Sequence, residues 1–185
     1  MPIRRLPFLV SMLLLSLGAG SAQADDVVAD LHTTPFVDIS RFMGKWWVIS
    51  HVPNFFENGK VGTSDTYAAV SKTRLKTAFT FRKGSLDAPE HQWGGTARII
   101  NTTTNADWKV QLVWPFESRY RVLELDPNYG WAVVSNGNGR LVWVLSRTPR
   151  LESYTYGIIM EHLRQRRISP ASLEMVPQAP QTVAD

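Results

Sequence analysis

Side chains suited to acid, base or metal chemistry are spread thinly along this chain. The four histidines, His32, His51, His91 and His162, lie far apart, and no two have a ligand spacing such as His-x-x-x-His. The absence of cysteine excludes disulfides, thiol catalysis and cysteine-based zinc sites. No Gly-x-Ser-x-Gly, phosphate-binding loop or paired-carboxylate motif occurs, so no catalytic residue, metal or cofactor is expected. The residues that stand out are aromatic. Phe79, Trp114, Tyr120, Trp131 and Trp143 all fall in β-forming segments. Each taken singly is more often core than site. Phenol and indole rings nevertheless combine an apolar body with one polar handle, which suits an acyl chain with a carboxylate or phosphate head. Phe55 and Phe56 follow Pro53 in a loop, where they can plug one mouth of the fold or form a lid over a ligand.

The elements that must position these rings begin at residue 38. Ser40 can cap a brief helical turn through Phe42 and Met43. Gly44 then permits a sharp reversal. From Trp46 onward the residues are aromatic or β-branched, and a period of two puts Trp46, Val48 and Ser50 on one face, with Trp47, Ile49 and His51 on the other. The face carrying Ser50 can line a cavity or equally an ordinary core. After the first strand, 45–52, strand segments are expected at 63–71, 76–83, 91–101, 108–114, 119–126, 130–135 and 141–146, separated by short turns rich in Gly, Asn and Pro. About eight strands joined this way indicate an up-and-down antiparallel barrel or a sandwich. Beyond Pro149 the period changes: Tyr156, Ile159, Met160 and Leu163 share one helical face within 153–166. A last short strand is expected at 173–177, and a disordered tail at 179–185.

Three short motifs separate barrel from sandwich. Gly44-Lys45-Trp46, Asp126-Pro127-Asn128-Tyr129 and Leu145-Ser146-Arg147-Thr148-Pro149 stand in order, and together they resemble the signature motifs of the lipocalins. The stretches around Phe56 to Gly59 and Leu145 to Pro149 resemble the bacterial lipocalins in particular, and the resemblance covers 38–178. It implies an all-β, eight-stranded up-and-down antiparallel barrel with one C-terminal helix packed outside. It also implies that Gly44, Trp46, Asp126, Tyr129 and Arg147 are structural, with the Arg147 guanidinium crossing the Trp46 indole at the closed end, an interaction worth roughly 0.5–2 kcal/mol. Tyr120 and Trp143 stand where bacterial lipocalins place pocket aromatics. The expected ligand-binding set is therefore Ser50, Phe55, Phe56, Phe79, Trp114, Tyr120 and Trp143. Arg121 is a further candidate for a ligand head, although its strand parity is opposite to that of Tyr120.

Composition agrees with an exported globular carrier. The chain has 185 residues, 44% hydrophobic and 19% charged, which suits one domain of ordinary size. Residues 1–24 read as a signal peptide: Arg4 and Arg5, an apolar run from Phe8 to Leu17, and the small-x-small site Ala22-Gln23-Ala24. A polar, mobile arm is expected at 25–37. Signal removal takes two of the 20 basic residues and none of the 16 acidic ones, leaving +2, and no dense basic block points to nucleic acid. Bacterial lipocalins often carry a lipid-bearing Cys after the signal; without one, a soluble periplasmic or secreted protein is expected. The expected partner is a lipophilic small molecule, a fatty acid or lysophospholipid, bound for transport or storage. A transient membrane-surface contact and a homodimer are both allowed. Two alternatives stand beside this reading: an enzyme built on the same barrel, and an interaction protein whose barrel is filled.

Overall fold

A computed structural model describes residues 31–113 and 115–179; residues 1–30, where the signal peptide is expected, Trp114, and residues 180–185 of the expected tail lie outside the described residues. A single turn of helix, α1 (Ile39–Phe42), leads into β1 (Gly44–His51). The cap of this turn is Asp38 rather than Ser40, because the Asp38 carboxylate reaches both the Ser40 and Arg41 amides, at 2.9 and 3.3 Å. Gly44 makes the reversal at φ +93°, and a Cβ there would sit 3.4 Å from the Arg147 guanidinium.

Seven strands follow: β2 (Lys60–Ala69), β3 (Arg74–Lys83), β4 (Glu90–Ile99), β5 (Asp107–Val113), β6 (Phe116–Leu125), β7 (Trp131–Asn136) and β8 (Val142–Ser146). Each pairs antiparallel with the next, and β8 returns to β1, so the eight strands close an up-and-down barrel. The strand β2 starts three residues earlier than expected, because Gly62, at φ +61°, lies in an irregularity between Val61 and Ser64 that lets pairing with β3 continue.

The helix α2 (Ser153–Gln165) packs on the outside. Its Ile159, Met160 and Leu163 are buried against Ile49, Leu123, Val133, Val142 and Val144. Glu124, on the same outer surface, holds the helix end: its carboxylate accepts from Arg166 Nε at 2.7 Å and lies 2.8 Å from His162 Nδ1. A two-residue strand, β9 (Glu174–Met175), then pairs with the end of β1. The seam between β1 and β2 opens beyond Trp47, and the C-terminal segment bridges it. The Gly62 amide donates to the Pro177 carbonyl, and the Gln178 side-chain amide donates to the carbonyls of Val48 and Thr63.

Two expectations change here. The described part of the arm, from Leu31 to Val37, lies along the barrel: the Thr34 amide donates to Val122, the Val37 amide donates to Thr104, and Val37 is fully buried. In β1 the pairing with β8 shifts between Val48 and Ser50. That bulge breaks the period of two. It sets His51 opposite Trp143 on the inner face, and Ser50 opposite Val144 on the outer one.

Candidate functional site

The closed end of the barrel is an aromatic floor. Phe42 packs against Trp46 with ring centres 4.9 Å apart and meets Trp108 edge-on at 5.3 Å. Trp108 stacks on Tyr120 at 5.1 Å, and the Tyr120 hydroxyl lies 2.9 Å from that of Tyr67. Both buried indoles have their N–H used: Trp46 donates to the Phe42 carbonyl and Trp108 to that of Asn105. The Arg147 guanidinium covers Trp46 at 3.8 Å and donates to the carbonyls of Lys45 and Arg41, at 2.8 and 2.6 Å. The Asp126 carboxylate accepts from the Asn128 and Gly130 amides, which holds Tyr129 at φ +61°. The Tyr129 hydroxyl in turn accepts from the Asp38 amide at 2.8 Å. Gly44, Trp46, Asp126, Tyr129 and Arg147 therefore all serve the closed end.

Above the floor, cross-strand register places Trp46, Asp65, Phe79 and Trp93 side by side on the inner face. Phe79 stacks on Phe81 at 5.4 Å, and Trp93 meets Phe81 at 4.8 Å. Trp143 faces them from β8. Its indole N–H donates to the Glu57 carboxylate at 2.9 Å. Asp65, Trp93, Tyr120 and Trp143 point inward yet keep part of their surface accessible. For inward residues that surface borders the lumen or its mouth.

The mouth is polar. His51 Nδ1 lies 3.4 Å from the Glu57 carboxylate, and Lys60 Nζ stands 4.9 and 4.8 Å from the rings of Phe81 and Trp93 while bonding the Phe56 carbonyl. A recess of about 510 Å³ opens beside it, between the β1–β2 loop and β9, and includes His51, Glu57, Lys60 and Met175. Burial raises the Glu57 carboxyl above its ordinary value, opposed by His51 and Trp143. Burial also pushes Asp65 up to about 7, helped by the Glu57 charge and opposed by a hydrogen bond from Tyr67. Tyr67 and Tyr120 are raised well above the usual phenol range, first by burial and then by Asp65, so both hydroxyls stay neutral. Among the described residues no three His, Asp or Glu side chains group as a metal site.

Of the residues expected from the sequence, Phe79, Tyr120 and Trp143 meet around this lumen. Ser50 does not: it is fully buried under α2, accepting from the Tyr156 hydroxyl at 3.0 Å. Trp131 also packs beneath the helix. Phe55 and Phe56 are 90% and 56% exposed, so they do not plug the mouth. Arg121 lies outside the barrel, 3.8 Å from Asp107. Trp114 falls outside the described residues. Sequence reasoning missed Asp65, Tyr67, Trp93, His51 and Glu57. The alternation of Asp65 with Tyr67 was the one available signal.

A family model described as the lipocalin-like domain matches residues 37–178. Outer membrane lipoprotein Blc of Escherichia coli K12 is 30% identical over 151 residues, 76% of this chain and 83% of that protein. Blc of Vibrio cholerae is 29% identical over 145 residues, 76% of this chain and 82% of that one. Insecticyanin from the tobacco hornworm Manduca sexta superposes with a TM-score of 0.65 at 18% identity, covering 82% of this chain and 86% of its own. Lobster apocrustacyanin A1 gives 0.64 at 11%, covering 77% and 81%. Both structures share the closed barrel described above. With the floor motifs in place and the family model spanning the whole barrel, the chain belongs to the lipocalins, of the bacterial type.

Proposed function

We propose that this lipocalin carries a single-chain amphiphile, of the size of a fatty acid or a lysophospholipid, inside its barrel. The observation that carries the reading is the inward aromatic lining of Phe79, Phe81, Trp93 and Trp143 above an aromatic floor. Burial of about a dozen methylenes at ~0.8 kcal/mol each is the driving force. Association costs offset at least about 4 kcal/mol of it, so burial of the chain alone leaves affinities of about 0.1 mM and polar contacts to the head must supply the rest. The signal-like segment 1–24 supports export, and with it carriage across an aqueous periplasm. Kinship with Blc, named an outer membrane lipoprotein, supports action near an envelope membrane. Among the described residues no helix is long and apolar enough to cross a membrane.

Native mass spectrometry on protein purified from the periplasm, followed by solvent extraction, tests the proposal. A stoichiometric single-chain lipid is the expected result. An empty protein that also fails to take up added lipids would refute it and favour an interaction role.

A further inference from the structure

At depth the lumen carries an acid. The arginines of β6, Arg119 and Arg121, face outward to Asp107, and Glu124, His162 and Arg166 pair outside beneath α2. On the inner face of the described strands Asp65 is the acid at depth, while the basic side chains that approach the lumen, His51 and Lys60, stand at the mouth beside Glu57. Asp65 makes no ion pair among the described residues, and its lumen neighbours Phe79 and Trp93 offer it no charge. Beside it stand the paired hydroxyls of Tyr67 and Tyr120. Thr77, directly across from Tyr67, is only 6% exposed, and its hydroxyl has no hydrogen-bond partner in the protein. Gly95, on the other side of Thr77, is required by close packing: a Cβ there would clash with the Gln111 carbonyl oxygen and come within 2.9 Å of the Thr77 hydroxyl.

This arrangement sets the direction of entry. An amphiphile entering tail first would press its methyl end against the polar cluster of Asp65, Tyr67 and Tyr120, whose members bond one another, and would leave the Thr77 hydroxyl buried without a partner. One entering polar end first gives these groups a polar partner and lays its apolar body against Phe79, Phe81, Trp93 and Trp143. The sign of the charge then selects the head. At the mouth Glu57 is balanced by His51 and Lys60, so the choice is made at depth, where a carboxylate head would meet Asp65. A cation is attracted by Asp65, and the low dielectric strengthens that attraction.

We infer that the lumen takes an amphiphilic amine, head first, with the ammonium held by Asp65 and the hydroxyls of Tyr67, Tyr120 and Thr77. The inference rests on the carrier reading above and narrows its ligand class. It carries a proton signature. The groups facing Asp65 are Glu57 from the β1–β2 loop, Tyr67 from β2 and Tyr120 from β6, while His51 and Lys60 act on Glu57. Trp46, Phe79, Thr77 and Trp93, facing from β1, β3 and β4, do not titrate. An ammonium arriving below the pH at which Asp65 titrates drives it to ionise, so binding near pH 6 releases a proton.

The test uses delipidated protein and three ligands of equal chain length: dodecylamine, dodecanol and laurate, each below its micelle concentration. Displacement of a fluorescent lipophile reads affinity near pH 8, and calorimetry near pH 6 in buffers of different ionisation enthalpy reads proton release. The amine is expected to bind at least about tenfold tighter than laurate. Asp65→Asn is expected to remove that preference, with circular dichroism reporting whether the variant is folded. The proton release is measured on the unaltered protein, and so stands even if the variant folds poorly. Laurate binding as tightly as the amine, or an amine preference that survives in a folded Asp65→Asn, would overturn the inference while sparing the carrier reading. Failure of all three ligands to bind would remove the carrier reading itself.

Discussion

Replacing Asp65 by Asn should make the folded protein more stable near pH 8 and leave it nearly unchanged near pH 4. The reason is the carboxyl's position between Trp46 and Phe79, inside the barrel and, among the described residues, without a cationic partner. Its folded value is about 7 against an ordinary value of 3.8. Between those values the native state holds a proton that the unfolded chain has released. Stability from this group is therefore complete below about pH 4 and is lost as pH rises through about 7. The full difference amounts to about 4 kcal/mol, a large share of the roughly 5–15 kcal/mol that separates folded from unfolded domains. Asn resembles the protonated acid and does not titrate, so the difference between the two proteins isolates this group. Urea unfolding at a series of pH values, followed by tryptophan fluorescence, measures it. The curves should diverge between about pH 4 and 8, with Asn the more stable at the alkaline end. Parallel curves, or a variant that loses more stability at pH 8 than at pH 4, would refute the placement of an unpaired acid in the lumen.

Three other outcomes follow from the geometry. Arg147→Ala removes the cover over Trp46 and two hydrogen bonds to carbonyls; discounted for partial solvent access, the loss is about 2–3 kcal/mol, read as a drop of about 4–10 °C in melting temperature. Ligand affinity should not change, because the guanidinium lies beyond the floor. Tyr156→Phe strands the buried Ser50 hydroxyl and should cost about 1–2 kcal/mol in chemical denaturation, much of which a second change, Ser50→Ala, should restore. The paired change Phe55→Ser and Phe56→Ser should alter stability by less than about 0.5 kcal/mol by the same measurement, since both rings are largely solvated.

The closed end was legible because its interactions are made by residue types with few other uses at such spacings. A glycine at positive φ, an indole two residues later, an Asp that caps a turn and an Arg that ends the last barrel strand specify one another. The outer helix was legible from its apolar period, and its buried residues are three of the four expected to share that face. The lumen was less so. A bulge adds one residue without any change of residue type, so nothing in Val48-Ile49-Ser50-His51 reveals that Ser50 turns outward and His51 inward. Ser40 and Asp38 are both good helix caps, and only the loop geometry chooses Asp38. A lone acid such as Asp65 within a strand ordinarily marks the solvent face. Its alternation with Tyr67 is the one sequence signal for an inward direction, and the partner strands that set Trp46 and Phe79 beside it fix that direction.

Whether a lipophile enters the barrel is tested most directly by collisional quenching with an alkyl alcohol that carries bromine at its far end. Trp93 and Trp143 face the lumen, whereas Trp47 packs outside, under Lys45. A ligand in the barrel should quench fluorescence saturably at one equivalent. The effect should shrink when Trp93 and Trp143 are replaced by Phe, and persist when Trp47 is replaced. Quenching that never saturates, or that disappears with Trp47→Phe alone, would place the ligand outside the barrel and contradict carriage in the lumen.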